Sequence, residues 1–298
     1  MLAGSLVFAA FAGTGRVDAQ SAVAGAPSVD ATPAAIDFET IDDHGLKKAF
    51  ESQLGALKGA GKTVDPKQLQ AQLSRTHTTG VVLKTVPTQV LPPSAIYARA
   101  KLATLIFGNI YKCDRCDNWH GGMAGGVVLT SDGVAVTNYH VIESDSADAF
   151  GAMTADGKMH AVEEVLAASK KDDVALVRLA GENFQAIAVS PGDEVGSEVR
   201  VVSHPDGRFY SYSEGVISRY FMDRRERAPR MQITADYARG SSGCGVFNES
   251  GALTALVSAT TSIYYDQSEE KNDDLQMVIK SCIPVAAIWD LVGGDEAE

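Results

Sequence analysis

Three side chains in this sequence have the types and settings for joint chemistry: His140, Asp173 and Ser242. Residues 134–141 read VAVTNYHV, an apolar strand pattern that ends in a histidine. Residues 172–179 read DDVALVRL, with an acid directly before a buried strand, and residues 240–245 read GSSGCG, a serine set among glycines. A serine hydroxyl is a poor nucleophile at neutral pH until a base lies within hydrogen-bond reach. His140 would take that proton and later return it to a leaving group. Asp173 would bond the other ring nitrogen, hold the useful tautomer and stabilise the imidazolium. The glycines allow a sharp turn that aims the N–H groups of Gly240 and Ser242 at a developing oxyanion, where one donor is worth ~10²–10³ in rate. The chemistry implied is acyl transfer.

The order is His, Asp, Ser, with Asp173 lying 33 positions after His140 and Ser242 69 after Asp173. Asp172 competes with Asp173, and Ser241 with Ser242; the acid touching the VAL strand and the serine between the glycines are the better candidates. His44 and His77 lie far upstream, His120 follows a Cys-x-x-Cys, and His160 and His204 have no acid and serine strings around them. His204 precedes Pro205 in a turn and reads as structural.

Elements able to hold these residues follow from the patterning. Residues 20–36 are rich in Ala, Ser, Pro and Gly, which reads as a linker. Leu46, Phe50, Leu54 and Leu57 recur at helical spacing until Gly59 and Gly61. A second helix opens with Asp65 as cap and Pro66 in the first turn, with Leu69 and Leu73 on one face. After Pro92 and Pro93, short apolar runs recur between Gly, Asn, Asp and Ser, and Ser131-Asp132-Gly133 between two of them signals a hairpin. Nearly ten short strands without long helices indicate an all-β sandwich or barrel. A closing helix is expected over 283–292.

These strings resemble the trypsin-like superfamily, and within it most the HtrA/Deg branch. TNYHV is similar to that branch's TNxHV, DVALVRL to its DxAxLxx, and GSSGC to its GNSGG, with SHPDG…SEGVIS and TADYARGSSG in the family's order. The resemblance spans 96–292. It implies two chymotrypsin-like six-stranded β-barrels, at about 96–187 and 188–298, after a linker and helical leader at 20–95. It implies a serine endopeptidase acting on polypeptides through an acyl-enzyme on Ser242, without metal or organic cofactor. By position in the family's motif, Val257, Ser258 and Ala259 are expected to line a specificity pocket for uncharged side chains. Ser241 stands where trypsin-type zymogens carry an aspartate, so activation through that ion pair is not expected. Cys244 stands where the family usually has glycine. No peptide-binding PDZ domain, common in that branch, is expected after the second barrel.

Composition narrows the partners. The chain has 298 residues, 45% of them hydrophobic, and a net charge of −12, so it can bury a core but is poorly suited to phosphate backbones. Nucleic acid is therefore not an expected partner, and the short Arg224, Arg225, Arg227 and Arg230 run reads as a solvated turn. Residues 2–12 form an apolar run too short to span a bilayer, followed by the small-x-small Val17-Asp18-Ala19. That reads as a signal peptide over 1–19 and a secreted or periplasmic location, with no stable membrane insertion, although no Lys or Arg precedes the run. In such a compartment Cys113 and Cys116 are expected to form a local disulfide rather than a metal site, which would want a fourth ligand. Cys244 and Cys282 could also pair.

Two rivals remain at this level. One is a catalytically inactive binding module on the same scaffold. The other is a small-molecule esterase, but the α/β-hydrolase serine elbow needs alternating strands and helices and the order Ser, acid, His, which this chain lacks.

Overall fold

The computed structural model describes residues 39–84, 86, 89–267 and 272–293, and the compact unit begins at Ile41. The expected signal peptide and linker lie outside the described residues. Helix α1 (Asp43–Gly59) starts where the Asp42 carboxylate accepts from Gly45 N–H. Helix α2 (Pro66–Ala71) starts where Asp65 accepts from Lys67 N–H at 2.8 Å. The second start is the one the sequence reading gave, and the first helix ends at Gly59 as read. Helix α3 (Pro93–Ala103) was not expected: the sequence reading placed short apolar runs after Pro92 and Pro93 and no helix there. Pro93 in its first turn supplies a preset φ, and Ile96, Ala100 and Ala103 bury one face.

From α3 the chain enters β1 (Thr104–Cys113), β2 (Cys116–Val128) and β3 (Val134–Thr137), a short helix α4 (Tyr139–Ile142), then β4 (Ala149–Met153), β5 (Met159–Ser169) and β6 (Val174–Leu179). These strands close one barrel in the order β1-β2-β3-β6-β5-β4. The remaining strands are β7 (Glu198–Ser203), β8 (Ser211–Met222), β9 (Pro229–Ile233), β10 (Gly245–Phe247), β11 (Leu253–Gln267) and β12 (Asn272–Pro284). They close a second barrel in the order β10-β11-β12-β9-β8-β7. The two six-stranded barrels are those the sequence implies. The hairpin read at Ser131-Asp132-Gly133 joins β2 to β3, with Gly133 N–H donating to Thr130 C=O. Helix α5 (Ala286–Leu291) is shorter than expected because Ile283 and Pro284 still belong to β12.

Strand β1 explains why an unbroken apolar run is needed. Its first seven residues are all buried, on both faces. Leu105 and Phe107 point into barrel one with Val128 and Val177, whereas Ile106 and Ile110 point outward into a cluster with Phe50 and Leu54 of α1. A strand covered on both sides cannot alternate apolar with polar residues. The α1 helix is therefore part of the barrel's outer wall. Helix α5 packs against the same shared cluster through Ile288 and Leu291, and Trp289 Nε1–H donates to Ser190 C=O at 2.9 Å. Among the described residues, no helix is long and apolar enough to cross a membrane.

Leu54 is fully buried in this wall while Leu102 is 48% exposed. Truncating a fully buried leucine costs ~2–5 kcal/mol, so Leu54→Ala should lower the melting temperature by roughly 5–15 °C. Leu102→Ala should leave it within ~2 °C. Calorimetry on the two variants checks the assignment.

Candidate active site

His140 does not end a strand, as its sequence context implied; it sits in the single turn of α4, just after β3. That turn lets its backbone and its ring face one acid. His140 N–H donates to Asp173 Oδ1 at 3.1 Å, and ring Nδ1 lies 2.9 Å from Oδ1 and 3.0 Å from Oδ2. Asp173 itself adopts a left-handed conformation, φ 61°, at the entrance to β6. Asn138 steadies this turn by donating from Nδ2 to Asp173 C=O at 3.0 Å. Asp172, the competing acid, accepts from the Ser169 hydroxyl at 2.7 Å and is occupied in its own turn. The histidine side chain is 50% exposed and the aspartate 20%, so one is open to an incoming molecule and the other is partly screened from water.

The second barrel supplies Ser242, and the two barrels meet closely there. Gly125 N–H of β2 donates to Ser242 C=O at 2.7 Å, while the Thr137 hydroxyl donates to Gly125 C=O at 2.7 Å. A Cβ on Gly125 would lie 2.1 Å from Cys244 Sγ and 2.7 Å from Cys244 N. A Cβ on Gly243, which has φ +82°, would lie 2.3 Å from Gly125 O and 2.6 Å from Thr137 Oγ1. Nothing larger than hydrogen fits between the barrels at these two positions. Gly240 has φ +88°, and among the described residues neither its N–H nor that of Ser242 donates to a backbone carbonyl. Neither amide is therefore committed to the backbone of the loop. Ser241, the rival nucleophile, is fully buried, and its hydroxyl has no partner among the described residues.

Ser258 connects the halves. Strand β11 carries a bulge there, since Val257 pairs with Cys282 and Ala259 with Ser281. A bulge re-aims the residue it leaves unpaired. Ser258 donates its hydroxyl to Asp173 Oδ2 at 3.2 Å, and its C=O accepts from Ser242 Oγ at 3.4 Å. Among the described residues, this carbonyl rather than the His140 ring is the hydrogen-bond partner of Ser242 Oγ. Sequence reasoning had assigned Ser258 to a specificity pocket and missed its link to the aspartate; nothing in a linear string announces a bulge.

Further expectations need correction. Val257 does not line a pocket: it is 1% exposed and packs in the core of barrel two with Val246 and Ala255, because strand alternation turns it inward. Only Ser258 and Ala259 face the cleft, together with Tyr139, His140 and Asp173. Cys113 and Cys116 are free thiols with sulfurs 3.6 Å apart, not the expected disulfide, in which the sulfurs would be ~2 Å apart. Both sulfurs lie against His120 Nε2, at 3.2 and 3.1 Å. Cys244 and Cys282 are also free and fully buried, and burial pushes both thiols up, Cys282 to about 12. The arginine-rich turn joins β8 to β9 with Arg224, Arg225 and Arg227 exposed, as the sequence reading had it, and Arg224, Arg225 and the buried Arg230 also line the cleft beside His140.

Electrostatics separate His140 from the two buried histidines, His160 and His204. The Asp173 hydrogen bond and charge raise the His140 pKa above its usual value against opposing desolvation. His204 is pushed down to about 4 by burial; its Nδ1 accepts from Tyr210 N–H at 3.2 Å, so its Nε2 donates to Leu105 C=O. It is a neutral packing histidine, as its sequence context indicated. His160 is likewise lowered by burial and bonds Ala180 C=O at 2.7 Å.

Residues 124–256 match the family model described as Trypsin-like peptidase domain. No curated protein matches the chain in sequence. Among solved structures, the chain is similar to the HtrA-type protease AlgW with a decapeptide, at TM-score 0.53 and 17% identity over 66% of this chain and 66% of that one. A serine-to-alanine variant of AlgW with a tripeptide matches at TM-score 0.54 and 18% identity, over 67% of this chain and 62% of that one. The chain thus spans less than two thirds of the length of that relative. At these identities the likeness establishes the fold, which is chymotrypsin-like.

A raised histidine pKa predicts its own pH signature. In the folded chain His140 should titrate above the free-imidazole value of ~6.5, and Asp173→Asn should move it downward. The ion pair then contributes stability that is fully present below ~6.5 and is lost as the pH rises through the folded value. Histidine ring NMR across pH 5–9 on both proteins reads this directly. An unchanged titration in Asp173→Asn would mean that the carboxylate does not hold the ring.

Proposed function

We propose that the chain is a serine endopeptidase that cleaves polypeptides through an acyl-enzyme on Ser242. The observation that carries the reading is the chain of contacts Ser242–Ser258–Asp173–His140, assembled from four segments remote in sequence. The match of residues 124–256 to the trypsin-like peptidase family supports it, and peptides accompany the AlgW structures similar in fold.

The mechanism follows from what each group can do. A substrate carbonyl enters the cleft beside His140. Ser242 turns its hydroxyl away from the Ser258 carbonyl toward Nε2 of His140, which takes the proton as Oγ attacks. Asp173 holds the Nδ1 proton and stabilises the imidazolium, and Ser258 holds Asp173. The carbonyl oxygen becomes an oxyanion under the N–H groups of Gly240 and Ser242, where fixed donors cost no reorganisation at the moment of reaction. The imidazolium then protonates the leaving amine. A water activated by the same histidine releases the acid and restores Ser242. Since His140 works as a base only when neutral, kcat/KM should fall at low pH through the raised histidine pKa.

On this reading the leading apolar run at 2–12 directs export, and the acts of cleavage take place outside the cytoplasm. The inactive binding module is the reading to exclude, because the Ser242 hydroxyl rests on a carbonyl rather than on the imidazole.

A fluorophosphonate probe separates the two. Wild type should be labelled once, at Ser242, while Ser242→Ala should not be labelled and His140→Ala should react at least ~10³-fold more slowly. Absence of labelling in folded wild type, shown intact by its melting transition, would leave a binding scaffold.

A further inference from the structure

Strands β1 and β2 run on past the barrel as a ribbon whose tip reads Cys113-Asp114-Arg115-Cys116. Cross-strand pairing places Tyr111 opposite His120, Lys112 opposite Trp119 and Cys113 opposite Cys116. As a result, two sulfurs and one imidazole nitrogen converge: Cys113 and Cys116 Sγ are 3.6 Å apart, with His120 Nε2 at 3.2 and 3.1 Å. One ring nitrogen offers either one proton or one lone pair, so two thiols must share it in a purely hydrogen-bonded triangle, whereas a metal ion would engage all three atoms at once. A tetrahedral zinc ion at ~2.3 Å from sulfur and ~2.0 Å from nitrogen spaces its ligands ~3.8 Å for S···S and ~3.6 Å for S···N. The observed triangle needs only a few tenths of an ångström to open to that size, whereas a disulfide needs the sulfurs to close to ~2 Å.

We propose that Cys113, Cys116 and His120 form a binding site for one soft divalent cation, zinc by chemistry, at the tip of the β1–β2 ribbon. No fourth histidine, cysteine or carboxylate joins the group among the described residues, so the remaining position falls to a water. Binding displaces two thiol protons to solvent. Two thiolates, a neutral imidazole and a water around the dication give a four-coordinate site of zero net charge, with no change of oxidation state. Thiolate with imidazole selects zinc over the hard cations that prefer oxygen.

The position gives the ion a mechanical consequence. Trp119 and Gly121, on either side of His120, both touch α1 and add to its docking. A Cβ on Gly55 would lie 2.3 Å from the Trp119 ring, and Gly121 N–H donates to the Glu51 carboxylate at 3.0 Å. Lys112 Nζ lies 4.2 Å from the Trp119 ring centre. Fixing His120 in a metal site fixes these neighbours, so the ion would hold the ribbon and with it the seat of α1. The site is independent of the peptidase reading, since none of its residues belongs to the cleft.

The test uses the full chain without a histidine tag, reduced with a phosphine, stripped by a chelator and titrated with Zn(II), then in parallel with Co(II). The expected result is one equivalent of zinc per chain and a Co(II) adduct showing thiolate-to-metal charge transfer with intense tetrahedral visible bands. Cys113→Ser, Cys116→Ser and His120→Ala should each weaken zinc binding by at least ~10-fold. Zinc should also raise the melting temperature of wild type but not of Cys113→Ser, and the transition itself reports that the variants fold. Uptake below one equivalent by the reduced chain would overturn the proposal. So would a cobalt spectrum without sulfur charge transfer, or Cys variants that bind as wild type does.

Discussion

Everything chemical in this fold depends on how closely two barrels approach at Gly125. The backbone of β2 donates to Ser242 C=O, and the Thr137 hydroxyl at the end of β3 returns a bond to Gly125 C=O, both at 2.7 Å. Thr137 is three residues before His140, so the same seam that seats the serine loop also sets the start of the histidine turn. Net, two such buried bonds are worth only ~1–3 kcal/mol. Their value is positional, because on the proposed mechanism the groups they place exchange a proton and tolerate displacements of well under an ångström. Glycine at 125 and 243 is what that distance demands, since any side chain would meet backbone within 3 Å.

The seam also explains a departure from the usual pattern around the serine. Cys244 occupies a position where the resembled family has glycine, yet its thiol is fully buried against Gly125 and inside the core of barrel two. Its pKa is pushed far up by burial, so the thiol stays protonated and serves as a small apolar filler rather than a reactive group. The buried Ser241 hydroxyl, with no partner among the described residues, sits beneath the same loop. The loop is held from the other side as well, where Arg239 pairs with Asp206 at 2.9 Å and the neutral His204 braces β1.

The parts of this arrangement that were legible in sequence are those with local physical signatures. Asp65 before Pro66 announces a helix start, and Ser131-Asp132-Gly133 announces a turn, because each meets its requirement within a few residues. The strings around His140, Asp173 and Ser242 were legible because each joins a chemical residue to a distinctive backbone context. What escaped notice depended on tertiary partners. Helix α3 has a weakly patterned sequence, and its face is defined by contact with both barrels. Ser258 looks like one more small residue in a strand until the bulge turns it toward Asp173. Val257 was misassigned for the complementary reason, since its inward direction follows from strand register. The arginines after β8 are solvated as they read, but nothing in their sequence hints that the turn lies beside the histidine cleft.

The account's central claim is that Ser242, His140 and the two amides act on one reacting carbon. A crystal structure of the chain reacted with a peptidyl phosphonate measures this most directly. It should show phosphorus bonded to Ser242 Oγ, one phosphonyl oxygen within ~3 Å of the N–H groups of both Gly240 and Ser242, and His140 Nε2 turned toward the adduct while Nδ1 stays on Asp173. An adduct on any other residue, or a phosphonyl oxygen directed away from both amides, would contradict it.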